Sequence, residues 1–512
     1  MRKLLSHLLL FPYACVLSLV FPVAGLEAQE NADAGSGSKP NVVIIYTDDQ
    51  NLDQMGCYGG QETPNIDKLA ETGVRFANYF VGTALCAPSR YGLQNGAFAS
   101  TAPYNMREYP AGGPINLSQH LGDAENRPPE TWALPTVMKA AGYETGFVGK
   151  YHLGFMGDRK KFGNMEGSLE DEQMLADLMH NFKLAQEGCY AAGYDYAEAL
   201  WHDNPQMTNF PQVVRYHNQD WITWKAMEFI EANQDEPFML VMNPTLVHHP
   251  PTEESLKADR EITPIGRVEI PEVQPSRESV LERQKAAGLE DNNHAGGVIW
   301  LDDAVGAIVK HLEELGLREN TVIFFVSDHS SSGKWTCYNG RAGAIVNWPG
   351  QIEPGQVSEI LAQNVDIAPT VWELCGVETP ADRQLQGVSF AEHITEGAPG
   401  KRDGAFMELF YQRAVISPDE WKYIAVRFPQ EIQQQIEEGK YFTLRGRETT
   451  PDKKGKSGPA IPDELYNLKE DPHEKNNLAN DPAYAEKLAE MKELMKVKCR
   501  ELPHAFGEFT ES

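Results

Sequence analysis

The sequence predicts an α/β protein: a mainly parallel central sheet flanked by helices, with a smaller α+β subdomain at its carboxyl end. Three observations carry that expectation. Short, unbroken apolar runs such as NVVIIY at 41–46 are bounded by turn residues, as strands buried on both faces are. Helical patterns recur between these runs, several closed by a glycine, so helix and strand alternate along most of the chain. After about residue 400 the texture changes to closely spaced short strands, turns and a final charged helix.

The chain opens with Met1-Arg2-Lys3, then LLSHLLLFPYACVLSLVF and small residues around Ala24 and Ala28. This is the layout of a secretory signal peptide, here residues 1–28. A membrane anchor needs about 20 consecutive apolar residues, and Ser6, His7 and Pro12 interrupt this run. The expectation is therefore export to the periplasm or the cell exterior, with no stable membrane insertion after cleavage. Residues 29–39 read as a polar linker, 40–400 as the large domain and 401–512 as the C-terminal subdomain.

In the large domain NVVIIYTDDQ predicts a buried strand ending in two carboxylates. TPNIDKLAETG predicts a helix with Thr63 as N-cap, Pro64 at its first position, Ile66, Leu69 and Ala70 on one face, and Gly73 as its stop. CAPSRYGLQNG predicts a helix entered at Cys86, with Pro88 in its first turn. LPTVMKAAGYETGFVGK, WITWKAMEFIEANQDEPFMLVMNP and LDDAVGAIVKHLEELGLRENTVIFFVSDH each predict a helix followed by a strand.

A formal net charge of −29 makes the chain an improbable nucleic-acid partner and repels anionic substrates at long range. Any anionic ligand must be held by local cations in a pocket. The seven cysteines show no zinc-site spacing. Export permits a disulfide among Cys57, Cys189, Cys337, Cys375 and Cys499, with the pairing open.

Four polar clusters fall at predicted strand ends or helix starts: Asp48-Asp49, Cys86 to Arg90, Lys150 to His152, and Asp328-His329 with Lys334 downstream. Adjacent carboxylates leaving a buried strand are costly unless solvated, paired or bound to a metal. Both acidic clusters end apolar strands, so one parallel sheet brings three carboxylates and an imidazole to the same edge. Hard oxygen donors favour calcium or magnesium, and His329 leaves a softer metal, or a merely flanking imidazole, open. A thiol at the start of a helix and close to Arg90 is expected to have a lowered pKa.

These residues resemble the sulfatases of the alkaline phosphatase superfamily over nearly all of residues 40–480. That family's maturation motif is CxPSR followed by xxLxTG. The chain has CAPSRYGLQNG and departs at Asn95, where Thr or Ser is usual. The GKxHLG motif is GKYHLG, the HxP motif is His248-His249-Pro250, and SDHSSSGK matches the SDH or SDN pattern with a downstream GK. The ending ELYNLKEDPHEKNNLA is also similar.

The resemblance implies an alkaline-phosphatase-like large domain and a sulfate ester hydrolase. It implies that a formylglycine-generating maturation enzyme converts Cys86 to the nucleophile. It implies one calcium ion per chain, with magnesium or another divalent ion as the alternative, held by Asp48, Asp49, Asp328, His329 and the modified residue 86. Arg90, Lys150 and Lys334 then clamp the sulfate. His152 is the expected base, and His248, helped by Lys334, the expected acid for the departing alcohol, with His249 its competitor.

A sulfated carbohydrate is the expected substrate. Rival readings are a phosphodiester or phosphonate monoester hydrolase of the same superfamily, and a noncatalytic protein that binds sulfated glycans. Asn339 and Arg341 replace the usual YEGG pattern and are expected to line the pocket differently. HDNP at 202–205, Trp201 and His217 offer a substrate wall, although the aromatics also read as simple packing.

Overall fold

The computed structural model describes residues 39–108, 133–154, 159–163, 165–205, 210–379, 385–438 and 462–510. The signal segment 1–28 lies outside the described residues, as does the linker up to residue 38. Lys39–Ser512 packs as one compact unit.

Its centre is an eight-stranded sheet formed by β1 (Asn41–Thr47), β2 (Val74–Phe76), β3 (Glu144–Lys150), β4 (Tyr196–Trp201), β5 (Phe238–Asn243), β6 (Thr321–Ser327), β7 (Ala344–Asn347) and β8 (Gln356–Ser358). The spatial order is β8-β2-β7-β6-β1-β5-β3-β4. Only β7 runs antiparallel to its neighbours. β6, β1, β5, β3 and β4 all pair in parallel and lie side by side, so their carboxyl ends share one edge. Every residue of β1, β5 and β6 is buried, as their unbroken apolar runs require once helices cover both faces. Thr47 is level with Ser327, which sets Asp48 beside Asp328.

The first predicted helix, α1 (Pro64–Glu71), buries Ile66, Leu69 and Ala70 as expected. Its amino end is capped differently. Thr63 makes no side-chain cap; Asp302 reaches across from the helix Ala295–Glu314 and accepts from the amides of Asn65 at 3.0 Å and Ile66 at 2.9 Å. The cap is supplied by a residue 236 positions away, beyond the reach of a local pattern. The helix C-caps on Thr72, before Gly73.

The carboxyl-terminal part is a four-stranded antiparallel sheet of β9 (Ala405–Leu409), β10 (Gln412–Ile416), β11 (Trp421–Val426) and β12 (Asp463–Asn467). The helix Ala485–Arg500 buries Met491, Met495 and Cys499 in a cluster with Phe406, Tyr423 and Leu465 of that sheet and with Phe98 and Val365 of the large part. The strand-rich subdomain is thus joined to the large sheet's own shell through apolar packing. Cys57, Cys86, Cys189, Cys337, Cys375 and Cys499 are all free thiols, so the disulfide that export would permit is not formed among them. Among the described residues no helix is long and apolar enough to cross a membrane.

Candidate active site

The carboxyl edge of the large sheet gathers Asp48, Asp49, Cys86, Arg90, Lys150, His248, Asp328, His329 and Lys334 into one largely buried cluster. β1 delivers Asp48 and Asp49, β6 delivers Asp328 and His329, and β3 ends on Lys150. The segment after β5 is tied to β1 where Asp48 N donates to Leu246 O at 2.9 Å, and it brings in His248. The helix α2 (Cys86–Asn95) points its first residue at the same place and is buried from Cys86 through Gln94.

Local chemistry explains why these residues stand where they do. Gly149 adopts φ +98°, and a Cβ there would meet Asn243 O at 2.0 Å, so only glycine lets the strand run this close to β5 before presenting Lys150. Ser89 fastens α2 to two strands at once. Its hydroxyl donates to Asp328 O and meets Tyr46 Oη at 2.7 Å, while its carbonyl accepts from Asn364 Nδ2 at 2.9 Å. Gly96 in the left-handed region ends the helix. Asp49 (φ 59°) and His152 (φ 54°) also occupy that region, which costs non-glycine residues energy and is common where a site dictates geometry.

Arg90 is fully enclosed. Its Nη2 donates to Asp328 Oδ2 at 2.9 Å and lies 3.5 Å from Asp48 Oδ1. Lys150 Nζ donates to Asp48 Oδ2 at 2.7 Å. Lys334 Nζ donates to Asp49 Oδ2 at 2.6 Å and to His248 Nε2 at 2.7 Å. Because an ammonium only donates, His248 presents a lone pair there, and its Nδ1–H goes to His249 O at 3.0 Å. Of the two adjacent imidazoles, His248 is the one turned to the cluster; His249 is exposed and packs on His294.

Electrostatics follow from burial and pairing. Burial opposes the charge of Asp48, but Lys150, His248 and Arg90 outweigh it and hold the carboxyl well below its ordinary range. Asp328 is pushed upward, by burial first, with Asp48 beside it adding repulsion. Burial also lowers His248 to about 4 and shifts His152 downward, so both imidazoles are neutral near pH 7.

The thiol departs from expectation. Burial and the neighbouring Asp48 raise the Cys86 pKa well above the usual value, outweighing Lys150 and Lys334. Cys86 Sγ donates to Asp48 Oδ1 at 3.2 Å, as a neutral thiol does. As it stands, this cysteine is a poor nucleophile.

Donor atoms of Asp48, Asp49, Cys86 and His329 all lie within 4.8 Å of one another. Asp49 Oδ1 is buried without a hydrogen bond and lies 3.1 Å from His329 Nε2, which is also 3.3 Å from Cys86 Sγ. With His329 Nδ1 directed at Ser330 O, 3.3 Å away, Nε2 faces these atoms as another acceptor. Acceptors converging on one point call for a proton or a cation between them, so the donor set fits a divalent ion. Asp328 stands at the margin, with Oδ1 accepting from Asp49 N at 3.0 Å and lying 3.8 Å from His329 Nε2.

Asp203 is a carboxylate that the sequence motifs do not assign. It follows β4 as Asp48 follows β1, lies 3.7 Å from Lys150 Nζ and 3.4 Å from His152 Nε2, and is held far below its usual pKa, burial being outweighed by His152 and Lys150. A polar residue just after an apolar strand is the signal that finds it, but in HDNP it was legible only as wall.

The expected wall residues behave otherwise. Trp201 is buried edge-on against Trp221, and His217 is buried between Thr245 Oγ1 at 2.7 Å and Pro250 O at 3.1 Å. Arg341 is taken up by Glu420 at 2.6 Å and Asn78 at 2.9 Å, and the Asn339 amide by Glu474 at 2.9 Å. These groups serve packing and the junction with the C-terminal sheet.

A family profile described as Sulfatase matches residues 40–377, and one described as N-sulphoglucosamine sulphohydrolase, C-terminal, matches residues 338–437. The chain is 27% identical to the N-acetylgalactosamine-6-sulfatase of Sus scrofa, over 78% of this chain and 72% of that one. It is 23% identical to the N-acetylglucosamine-6-O-sulfatase of Bacteroides thetaiotaomicron, over 94% and 90%. Its fold matches a solved protein in complex with its substrate D-glucosamine-2-N,6-O-disulfate, with a TM-score of 0.58, 19% identity and coverage of 91% and 98%. The edge cluster and the matched profile agree, and the chain belongs to the sulfatase family as a sulfuric ester hydrolase.

Proposed function

We propose that the protein hydrolyses a sulfate ester on a sulfated carbohydrate, using formylglycine at position 86 and one bound calcium ion. The observation that carries this reading is the placement of Cys86 at the head of a buried helix, against Asp48 and His329, in a cluster that also holds Arg90, Lys150 and Lys334. A neutral thiol with a raised pKa is unsuited to attack on sulfur, so the position gains its chemistry by oxidation. Formylglycine at position 86 would supply a hydrated aldehyde whose two hydroxyls serve as nucleophile and as the means of releasing sulfate without attack of water on sulfur. Calcium, held by Asp48, Asp49, Asp328, His329 and residue 86, supplies charge for the sulfate oxygens.

The chain's own residues do the rest. Arg90, Lys150 and Lys334 hold the sulfate, which the overall charge of −29 would otherwise repel. Lys334 donates a proton toward the departing alcohol and regains one from solvent, while the His248 lone pair that accepts from it at 2.7 Å holds the ammonium in place. His152, neutral near pH 7, accepts a proton from the nucleophile. Catalysis lies in residues 40–400, with 401–512 as a buttress. The basic-then-apolar start of the chain supports export, and a maturation enzyme is the partner that modifies Cys86. Carbohydrate as the substrate class is supported by the N-acetylhexosamine sulfatases among the relatives.

Mass spectrometry of the tryptic peptide ending at Arg90 tests the reading. A loss of about 18 Da at Cys86 in active protein is the expected result. An unmodified thiol in fully active enzyme, or faster turnover of matched aryl phosphonates than of aryl sulfates, sinks it.

A further inference from the structure

Where β3 meets β4, the pairing slips by one place: Val148 is level with Glu198, but Lys150 with Trp201. The extra residue is on β4, where Ala199 sits fully buried at φ 49°. Such a bulge re-aims whatever follows it. Continuing the shifted register, Tyr151 N donates to Trp201 O at 2.9 Å and His152 N to His202 O at 3.0 Å, which sets Asp203 opposite His152. Without the extra residue His202 would occupy that place.

The consequence is a carboxylate facing an imidazole. Asp203 Oδ2 stands 3.4 Å from His152 Nε2, and Asp203 is 5% exposed. His152 Nδ1 is buried and has no hydrogen-bond partner. We propose that Asp203 is a positioning residue that fixes the proton of His152 on Nε2 and so makes Nδ1 the atom that accepts the proton. This rests on the reading of His152 as the base. The proton leaves the nucleophile at position 86 for Nδ1, the proton on Nε2 stays with Asp203, and the imidazolium so formed is held by that carboxylate until Nδ1 gives its proton to water. The other charges facing His152 are Lys150 and Arg90, both of which oppose its protonation. Asp203 offsets them, and it is shared with Lys150 at 3.7 Å and with Arg159.

Imidazole ¹⁵N NMR of the full chain with unoxidised Cys86 tests the pairing apart from activity. The expected spectrum near pH 7 has His152 protonated at Nε2 and bare at Nδ1; the opposite tautomer overturns the proposal. In D203N the His152 titration midpoint falls by about one pH unit or more, and in D203E it returns toward wild type. An unchanged midpoint in folded D203N overturns it as well. In matured enzyme D203N lowers kcat about 10- to 100-fold with KM within about threefold, while D203E recovers part of the loss. Loss in KM alone overturns the positioning role. If matured wild type hydrolyses no sulfate ester while the NMR result holds, the proposed function fails and the Asp203–His152 pairing stands.

Discussion

In the C-terminal sheet Lys422 meets Glu474 at 2.8 Å, both nearly sealed from solvent, and the same Glu474 oxygen also accepts from Asn339 N at 2.9 Å. At the carboxyl edge of the large sheet, four carboxylates (Asp48, Asp49, Asp203 and Asp328) share Arg90, Lys150 and Lys334. Each region leaves buried atoms without hydrogen bonds, Asp49 Oδ1 and His152 Nδ1 at the edge and Glu474 Oε2 in the other. Both regions bury charge, yet one matches a single ammonium to a single carboxylate and the other holds an excess of anionic groups. Desolvated charge is expensive wherever it sits. The matched pair offsets that cost within the fold, whereas the edge presents acceptors that a cation fits. Burial of charge alone therefore does not mark an active site; an excess of anionic groups over their cations does.

The largest expected effect breaks the unmatched region only. Cys86→Ala lowers sulfatase kcat/KM by about 10³-fold or more, measured on an aryl sulfate, while the urea midpoint stays near wild type. Substantial residual turnover would detach the chemistry from position 86. Lys422→Met breaks the matched region instead. It leaves Glu474 buried alone and costs roughly 3–5 kcal/mol of unfolding free energy, with kcat of the folded protein unchanged. A loss of activity without a loss of stability would show that the C-terminal sheet takes part in turnover.

Calcium addition sharpens the contrast from the other side. At 100-fold above its dissociation constant, calcium stabilises the chelator-treated protein by about 2.7 kcal/mol. Asp49→Asn abolishes that gain and Lys422→Met does not, as read by thermal unfolding. The smallest effect concerns His217, a third buried group whose hydrogen bonds are complete. Burial lowers its pKa to about 3. Between its unfolded value near 6.5 and about 3, the unfolded chain binds a proton that the folded chain does not, so stability falls as pH falls through that window. The slope from this group approaches about 1.4 kcal/mol per pH unit well below 6.5 and averages about 1.1 between pH 6.5 and 5, and His217→Gln should flatten the pH dependence of unfolding free energy, measured with urea over that range, by about that average.

Much of the site was legible because strand-ending carboxylates and a buried apolar run report on each other. Once β1 and β6 are parallel neighbours, Asp48 and Asp328 have to meet. The alternation of helix and strand likewise carried the large sheet. What local pattern did not carry depends on residues brought from far away or on depth. The cap of α1 comes from Asp302, and Asp203 reaches His152 only through a one-residue slip between strands. The Cys86 thiol was misjudged because a helix terminus is visible in a motif but the burial that raises the pKa is not. Arg341 was expected at the pocket but pairs with Glu420, because a residue's partners cannot be told from its type, whereas Trp201 packs in the core, in keeping with its reading as a packing residue.

The enclosure of the α2 segment sets an order of events in the life of the chain. Cys86 is 5% exposed and Arg90 1%, and each residue between them is buried. The maturation enzyme proposed above can reach Cys86 only before Ser89 locks onto β1 and the residue after β6. The oxidation of Cys86 proposed above therefore has to precede folding. A chain that folds first seals its own thiol against that proposed step.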